Sequence, residues 1–244
     1  MAENRASANE ETYGEGVPCW VDAQLPDVEA GKRFYGELFG WTFETSYGSS
    51  VWALLDGDRV ASLAPKTDGR MPSVWTVSFA TSDAEALGRR ITAAGGRVVM
   101  APFPVGDLGT AALATDPEGA VFGLWQPGTH PGFGRRHAPN TFAWAQLYTR
   151  DTAAANVFYG GLFHAALFGA DAEPDFGRAE VTEVFPAEMP PHFVTHFRVA
   201  DLEEALGAVQ RIGGRVQALP FEASYGRVAV VTDNQGASFA LLQR

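Results

Sequence analysis

The 244-residue sequence predicts an α+β fold made of four strand–helix–three-strand (βαβββ) modules, and an internal repeat is the main reason. Residues 20–41 read WVDAQLPDVEAGKRFYGELFGW, and residues 142–165 read FAWAQLYTRDTAAANVFYGGLFHA. Six positions in the second stretch follow a matching residue at a spacing of 124: Trp144, Asp151, Phe158, Tyr159, Leu162 and Phe163. A strand, a helix and three short strands already occur twice before residue 128. The chain therefore reads as a duplication of a two-module unit.

The first strand of each copy has two different faces. In residues 20–25 the alternation separates an apolar side from a mixed side, which consists of Trp20, Asp22 and Gln24. A period of two is typical of a strand with one face toward a core. We expect the apolar side to meet a helix and the mixed side to face the opposite way.

A helix follows this strand. Asp27 is placed to cap its start, and Phe34, Leu38 and Phe39 fall on one helical stripe. Gly40 stands just past the last apolar position, where a left-handed backbone often ends a helix. The sequence thus predicts one amphipathic helix between the first and second strands.

The second module of each copy repeats this order. Asp83 and Asp201 are placed to cap its helix, and a double glycine ends it, at 95–96 and 213–214. Three short strands follow in both copies. The third module is seven residues shorter than the first between its helix and the next strand (30 against 37), which predicts a trimmed hairpin.

Composition and periodicity divide the chain into segments. The tail has few apolar groups, and the linker THPGFGRRHAP is rich in Gly, Pro and His without an apolar period. We expect His130 and His137 of this linker to be solvent-exposed. The predicted segments are a disordered tail at 1–15, a first domain at 16–128, a linker at 129–139 and a second domain at 140–244.

Charge and composition narrow the classes of partner. The net charge of −11 and the sequence pI of about 4.9 disfavour nucleic acid and anionic membrane surfaces. Cys19 is the single cysteine, so no internal disulfide forms. The acidic start of the sequence lacks the features of a secretory signal, and no run of about 18 apolar residues occurs. We expect a cytoplasmic protein without a membrane or nucleic-acid partner.

Three motifs make the chain resemble the vicinal oxygen chelate superfamily: FY-x-x-LFG at 34–40, AAGG at 93–96 and DPEG at 116–119. This family includes glyoxalase I, extradiol dioxygenases, and fosfomycin and bleomycin resistance proteins. The resemblance implies four βαβββ modules paired into two half-open glyoxalase-like barrels, with helices outside and a pocket inside. In such a barrel Trp20, Asp22 and Gln24 would line the pocket.

Members of this family usually hold one divalent metal on His, Gln or Glu at four strand positions. In the shortened third module, the sequence does not assign the ligand position that corresponds to Ser62 of the first module, and Glu183 is the nearest acidic residue. Tryptophan, valine, alanine and glycine offer no metal ligand, and a hydroxyl is a weak one. We therefore predict no metal and no cofactor. The positions that can be matched hold Trp20 and Trp144, Ser62, Thr76 and Val194, and Gly123 and Ala240.

The spacing of His192 and His196 is H-x-x-x-H, which binds metal when it lies on a helix. Here it lies in PHFVTHFRVAD, which has the period of a strand, where four residues span about 13 Å. The two rings are then too far apart to share an ion. We expect His196 and Arg198 to face the pocket, and His196 fits a pocket wall or a hydrogen-bonded core histidine better than a catalytic base.

The resemblance implies that the indole rings of Trp20 and Trp144 occupy two of the metal-ligand positions. Broad aromatic faces suit stacking against a flat ligand, and Trp20, Trp125 and Trp144 are the candidates. Trp41, Trp52 and Trp75 are predicted to pack outside the pocket. A polar set would orient the ligand, or else face water at the barrel mouth: Asp22, Gln24, Thr76, Ser78, Gln146 and Tyr148.

These residues support three functional hypotheses. The first is a metal-independent protein that binds a small aromatic, polyketide-like or hydrophobic molecule, as in the bleomycin-resistance branch of the family. The second is a metal-independent enzyme that uses Asp22, Tyr148 or His196 as acid or base. The third is a metal-dependent lyase or dioxygenase whose ligands lie at other positions. Oligomeric state does not follow from the sequence, and a homodimer is left open.

Overall fold

The computed structural model describes residues 13–69, 72–170, 172, 174–181 and 189–244. The α+β prediction is confirmed: strands dominate, and short helices separate them. The first half contains β1 Pro18–Leu25, α1 Val28–Phe39, β2 Thr42–Thr45, β3 Val51–Leu55, β4 Asp58–Pro65, β5 Val74–Ala80, α2 Ala84–Ala93, β6 Arg97–Val105, β7 Gly109–Thr115 and β8 Val121–Pro127.

The second half repeats this order with one reduction. Between its first helix and β11, the described residues hold the single strand β10 where the first module has three, in agreement with the predicted trimming. Its elements are β9 Phe142–Thr149, α3 Thr152–Leu162, α4 His164–Phe168, β10 Phe176–Glu180, β11 His192–Val199, α5 Leu202–Arg211, β12 Arg215–Ala223, β13 Gly226–Thr232 and β14 Ser238–Gln243.

Each half curls one sheet from two modules. In the first half the strand order is β2-β3-β4-β1-β5-β8-β7-β6, and the antiparallel pair β1–β5 joins the modules. In the second half the order is β10-β9-β11-β14-β13-β12, and β9–β11 is the corresponding pair. The two sheets meet where Ser238 of β14 pairs with Val74 of β5.

The predicted helix signals act as expected. The carboxylates of Asp27, Asp83, Asp151 and Asp201 each accept a hydrogen bond from the backbone N–H three residues later, at 2.8–3.0 Å. Gly40 ends α1 with a φ of 72°, and its N–H donates to the carbonyl of Gly36. These caps fix where each strand changes direction onto the outer face of its sheet.

The two halves pack through their outer helices. The phenol of Tyr35 on α1 donates to Asp233 of the second half, and that of Tyr159 on α3 donates to Asp116 of the first. Both tyrosines are fully buried, and each ring contacts a phenylalanine of the opposite half, Phe239 for Tyr35 and Phe122 for Tyr159. The same contact therefore occurs twice, once in each direction between the halves.

The predicted tail and linker both contact the body of the protein. Residues 1–12 of the tail lie outside the described part of the chain, whereas the Tyr13 phenol donates to the carbonyl of Phe133. In the linker, the N–H of Phe133 donates to the carbonyl of Cys19, and the N–H of Gly134 donates to that of Arg59. The linker therefore lies across the β1 and β4 end of the first barrel.

Helices long and apolar enough to cross a membrane do not occur in the described part of the chain.

Candidate functional site

A cavity of about 280 Å³ occupies the hollow of the first barrel. Side chains from β1, β3, β4, β5, β8 and the β6–β7 hairpin line it. Five residues predicted to bind ligand or act in catalysis are among them: Trp20, Asp22, Gln24, Ser78 and Trp125. Thr76 pairs with Asp22 across the β1–β5 ladder but does not line the cavity.

Three indole rings form much of the wall. Trp20 and Trp52 meet edge to face with ring centroids 5.3 Å apart, and Trp125 stands beside them. The prediction that Trp52 packs outside the pocket was wrong, because β3 pairs with β4 and turns this ring inward beside Trp20. Trp41 and Trp75 lie in the core as predicted, where their N–H groups donate to Asn140 and Tyr35.

Asp22 is the acidic group of the cavity. Among the described residues, no hydrogen bond or ion pair holds its carboxylate. Burial removes water from the charged form and raises the pKa of Asp22 from 3.8 to about 7. The group therefore exchanges a proton near neutral pH, as a general acid or base requires.

Smaller polar groups flank Asp22. The Trp20 indole N–H donates to the Ser62 hydroxyl at 3.1 Å, and Ser78 stands opposite Trp20 on β5. Gly123 lies next to Ser78 on β8, where an added Cβ would come within 2.1 Å of the Ser78 hydroxyl. The glycine thus keeps room for this hydroxyl at the cavity wall.

Strand register corrects two of the predicted metal positions. Trp20, Ser78 and Gly123 are direct neighbours across β1, β5 and β8, so Ser78 rather than Thr76 belongs to that level. Likewise His196 rather than Val194 stands between Trp144 and Ala240. In both cases the predicted residue lies on the correct face of its strand, but it is two residues away from the position that the strand pairing assigns.

In the third module, the metal-ligand position that the sequence did not assign falls on Gly177. This residue pairs with Gln146 as Ser62 pairs with Asp22, and a Cβ there would lie 2.5 Å from the Trp144 ring. Glu183 lies outside the described residues.

These donor sets do not fit the metal that the family usually holds. One histidine in the second barrel and none at the matched positions of the first leave too few ligands for a divalent ion. Among the described residues, no group of three or more His, Cys, Asp or Glu side chains is placed to hold a metal.

His130 lines the cavity, and the prediction that it is exposed was wrong. Its side chain is 2% exposed and lies against Trp20, Trp52 and Trp125. Burial lowers the pKa of His130 from 6.5 to about 4, so the ring is neutral at pH 7. Nothing in its Gly- and Pro-rich surroundings indicated this, because the path of the linker depends on long-range contacts. His137 is more open, and its ring bonds Asp175 at 2.7 Å.

In the second barrel, Trp144, Gln146 and His196 are held by contacts with each other, with the backbone or with Tyr225. Trp144 stacks on Tyr225 at 4.9 Å and donates to the side-chain oxygen of Gln146 at 3.0 Å. His196 is fully buried, with Nδ1 3.0 Å from the carbonyl of Val194 and Nε2 3.4 Å from the phenol of Tyr225. Burial lowers the pKa of His196 to about 4. Tyr225, in the β12–β13 turn, was missed by sequence reasoning.

Two further predicted residues have structural contacts. Arg198 was predicted to bind ligand, but one guanidinium nitrogen donates to the linker carbonyl of His137 at 2.7 Å. Tyr148 stacks on His192 with ring centroids 5.9 Å apart, and burial raises its pKa to about 12. The predicted trio of Asp22, Tyr148 and His196 is thus divided between the two barrels, with Asp22 alone in the first.

The sequence matches the model of the Glyoxalase/Bleomycin resistance protein/Dioxygenase superfamily over residues 20–124. "Putative glyoxylase CFP32" of Mycobacterium tuberculosis is 35% identical over 250 residues, covering 95% of this chain and 96% of that protein. "Anthracycline biosynthesis protein DnrV" of Streptomyces peucetius is 32% identical over 265 residues, covering 95% and 94%.

Solved structures agree in fold at low sequence identity. The Mn(II)-bound glyoxalase from Novosphingobium aromaticivorans has a TM-score of 0.62 at 14% identity, covering 94% of this chain and 82% of that one. Homoprotocatechuate 2,3-dioxygenase from Arthrobacter globiformis has a TM-score of 0.63 at 11% identity, covering 94% and 80%. The family model and the relatives that match nearly the whole chain agree with the barrels and repeated modules of the fold. The chain therefore belongs to the glyoxalase/bleomycin resistance protein/dioxygenase superfamily.

Proposed function

We propose that the first-barrel cavity binds a flat, mainly apolar small molecule by direct contact and without a metal ion. One observation carries this proposal: three indole rings line the same cavity as a single carboxyl group, that of Asp22, which no other described residue engages. Pockets for small organic ligands combine apolar walls with a few polar groups that fix orientation. This cavity has that composition.

Size and shape favour a small fused-ring molecule. A volume of about 280 Å³ lies just below the usual range for organic ligands, which begins at about 300 Å³. Met100, Phe103 and Leu108 of the β6–β7 hairpin add further apolar side chains to the cavity lining. A planar ring can lie against these faces with little loss of conformational freedom.

The relatives support an aromatic ligand. Two of them are named as anthracycline biosynthesis proteins and match nearly the full length of this chain. Anthracyclines are built on fused aromatic rings, so we propose a fused-ring aromatic or polyketide-like compound as the ligand class.

Titration of tryptophan fluorescence with 1-naphthol tests the binding proposal. Binding in the first barrel predicts that Trp52→Phe weakens the affinity several-fold, because it replaces one of the three wall indoles by a smaller ring. Trp144→Phe is the matched control, since it changes the same residue type in the second barrel. Calorimetry on the same variants excludes a purely optical effect. Equal affinities for all three proteins, or no binding by any of them, would refute the proposal.

A second candidate is a metal-independent enzyme that moves protons on the bound molecule. It is favoured by the Asp22 pKa of about 7, which makes the carboxylate a usable base at neutral pH. Proton exchange next to a carbonyl is the simplest such reaction. We expect the wild-type chain to catalyse deuterium exchange into 2-tetralone in D₂O, with a rate that rises through about pH 7 as Asp22 ionises. Exchange at the same rate in Asp22→Asn would remove this candidate.

A further inference from the structure

The linker supplies one wall of the first-barrel cavity. The N–H of His130 donates to the carbonyl of Leu108 at 3.1 Å, and its carbonyl accepts from the Trp125 indole at 2.8 Å. Farther along, Arg135 forms ion pairs with Asp56 in the turn after β3 and with Asp58 at the start of β4. The backbone of His130 is thus held at both sides, which fixes where its ring stands.

The imidazole of His130 occupies an aromatic box. Its centroid lies 4.4 Å from that of Trp20, 4.5 Å from Trp52 and 5.6 Å from Trp125. Neither ring nitrogen has a hydrogen-bond partner among the described residues. Buried polar atoms in folded proteins nearly always have a partner, which is protein, ordered water or a ligand.

A purely structural ring would not need nitrogen at this place. Phenylalanine has nearly the same shape and would fill a box of three indoles without two unsatisfied polar atoms. The guanidinium of Arg59 lies 4.7 Å from the ring centroid of Trp52, and its charge disfavours a protonated His130 imidazole. A neutral imidazole presents one N–H donor and one acceptor nitrogen.

We propose that His130 is a ligand-binding residue that selects for an oxygen substituent, a hydroxyl or carbonyl group, on the edge of a flat neutral ring. This inference rests on the proposed function, because it concerns the same cavity. Asp22 shares the cavity with His130 and disfavours anionic ligands when it is ionised. The preferred ligand class is therefore a neutral phenol or quinone rather than a plain hydrocarbon or an aromatic acid.

Three two-ring probes test this selection by calorimetry on the full-length chain. They are 1-naphthol, 1,4-naphthoquinone and naphthalene, which differ in edge oxygen but share the ring system. We expect the wild-type chain to bind the two oxygenated probes about three- to tenfold more tightly than naphthalene, as one hydrogen bond provides. His130→Phe should lose this margin while its naphthalene affinity stays unchanged.

Two more variants keep the test decisive. His130→Gln retains a donor and an acceptor and should preserve much of the margin, which also covers the case in which His130→Phe does not fold. His137→Gln changes the other linker histidine and should behave as wild type. If all probes bind and His130→Phe still binds the oxygenated probes more tightly than naphthalene by the wild-type factor, the role of His130 is overturned and the proposed function stays intact. Failure of every probe to bind the wild-type chain overturns both.

Discussion

The indole N–H of Trp20 donates a 3.1 Å hydrogen bond to the hydroxyl of Ser62. By the family resemblance, both residues are expected at positions that hold metal ligands in other members of the superfamily. The bond therefore joins two side chains of the cavity wall on the neighbouring strands β1 and β4. In the second barrel Trp144 bonds Gln146 in a comparable way, beside Gly177.

Replacement of Asp22 by asparagine should stabilise the protein more at pH 8 than at pH 5. The folded-state pKa of about 7 lies above the usual 3.8, so folding disfavours the ionised form. This cost grows as the pH rises from about 4 to 7 and then stays constant. We expect Asp22→Asn to gain about 1–3 kcal/mol in unfolding free energy at pH 8, less than the full shift implies, because the carboxyl group faces the cavity.

Urea denaturation at both pH values measures this effect. Asp107→Asn, in the turn of the β6–β7 hairpin, is a suitable control because Asp107 is exposed. An equal gain at pH 5 and pH 8 would show that ionisation of Asp22 is not the cause.

Removal of either inter-half phenol should destabilise the protein by similar amounts. Tyr35 donates to Asp233 at 2.8 Å and Tyr159 to Asp116 at 3.1 Å, and both carboxylates have raised pKa values because they are buried. Tyr35→Phe and Tyr159→Phe each leave a buried carboxylate with one partner fewer, at a cost of about 1.5–3 kcal/mol.

Thermal and urea unfolding check this pair against the exposed Tyr47→Phe, which should be neutral. A destabilisation by only one of the two variants would contradict the view that the two contacts are equivalent.

The second glycine of each double-glycine turn should not tolerate a side chain. A Cβ at Gly214 would lie 2.5 Å from the carbonyl of Thr232 and 3.1 Å from the ring of Phe34. Gly214→Ala should therefore cost about 1–3 kcal/mol through overpacking. Gly207→Ala, in the middle of α5 with open space around it, should instead stabilise by about 0.5–1 kcal/mol. If the two alanine substitutions changed the unfolding free energy in the same direction relative to wild type, this explanation from packing would be contradicted.

Local periodicity predicted the parts of the fold and site that depend on neighbouring residues. The alternation in β1 placed Trp20, Asp22 and Gln24 on one face, and all three line the cavity. The aspartate caps and Gly40 also follow from local backbone chemistry. Such features need no knowledge of the rest of the chain.

Features set by long-range contacts could not be predicted in this way. Thr76 was predicted in place of Ser78 because a shift of two residues leaves a side chain on the same face of the strand. The exact partner depends on the register between strands, and the register between β1 and β5 is irregular between Pro18 and Trp20. His130 was missed because its burial depends on where the linker crosses the barrel. The inward position of Trp52 depends likewise on the pairing of β3 with β4.

The central claim, recognition of a flat ligand in the first barrel without a metal, is tested most directly by calorimetric titration of chelator-treated protein with 1-naphthol. Elemental analysis of the same sample verifies that metal is absent, and a parallel titration contains added Mn²⁺. Metal-free recognition predicts one binding site with the same affinity in both titrations, and a several-fold loss of affinity in Trp52→Phe. Binding that appears only after Mn²⁺ is added would contradict it.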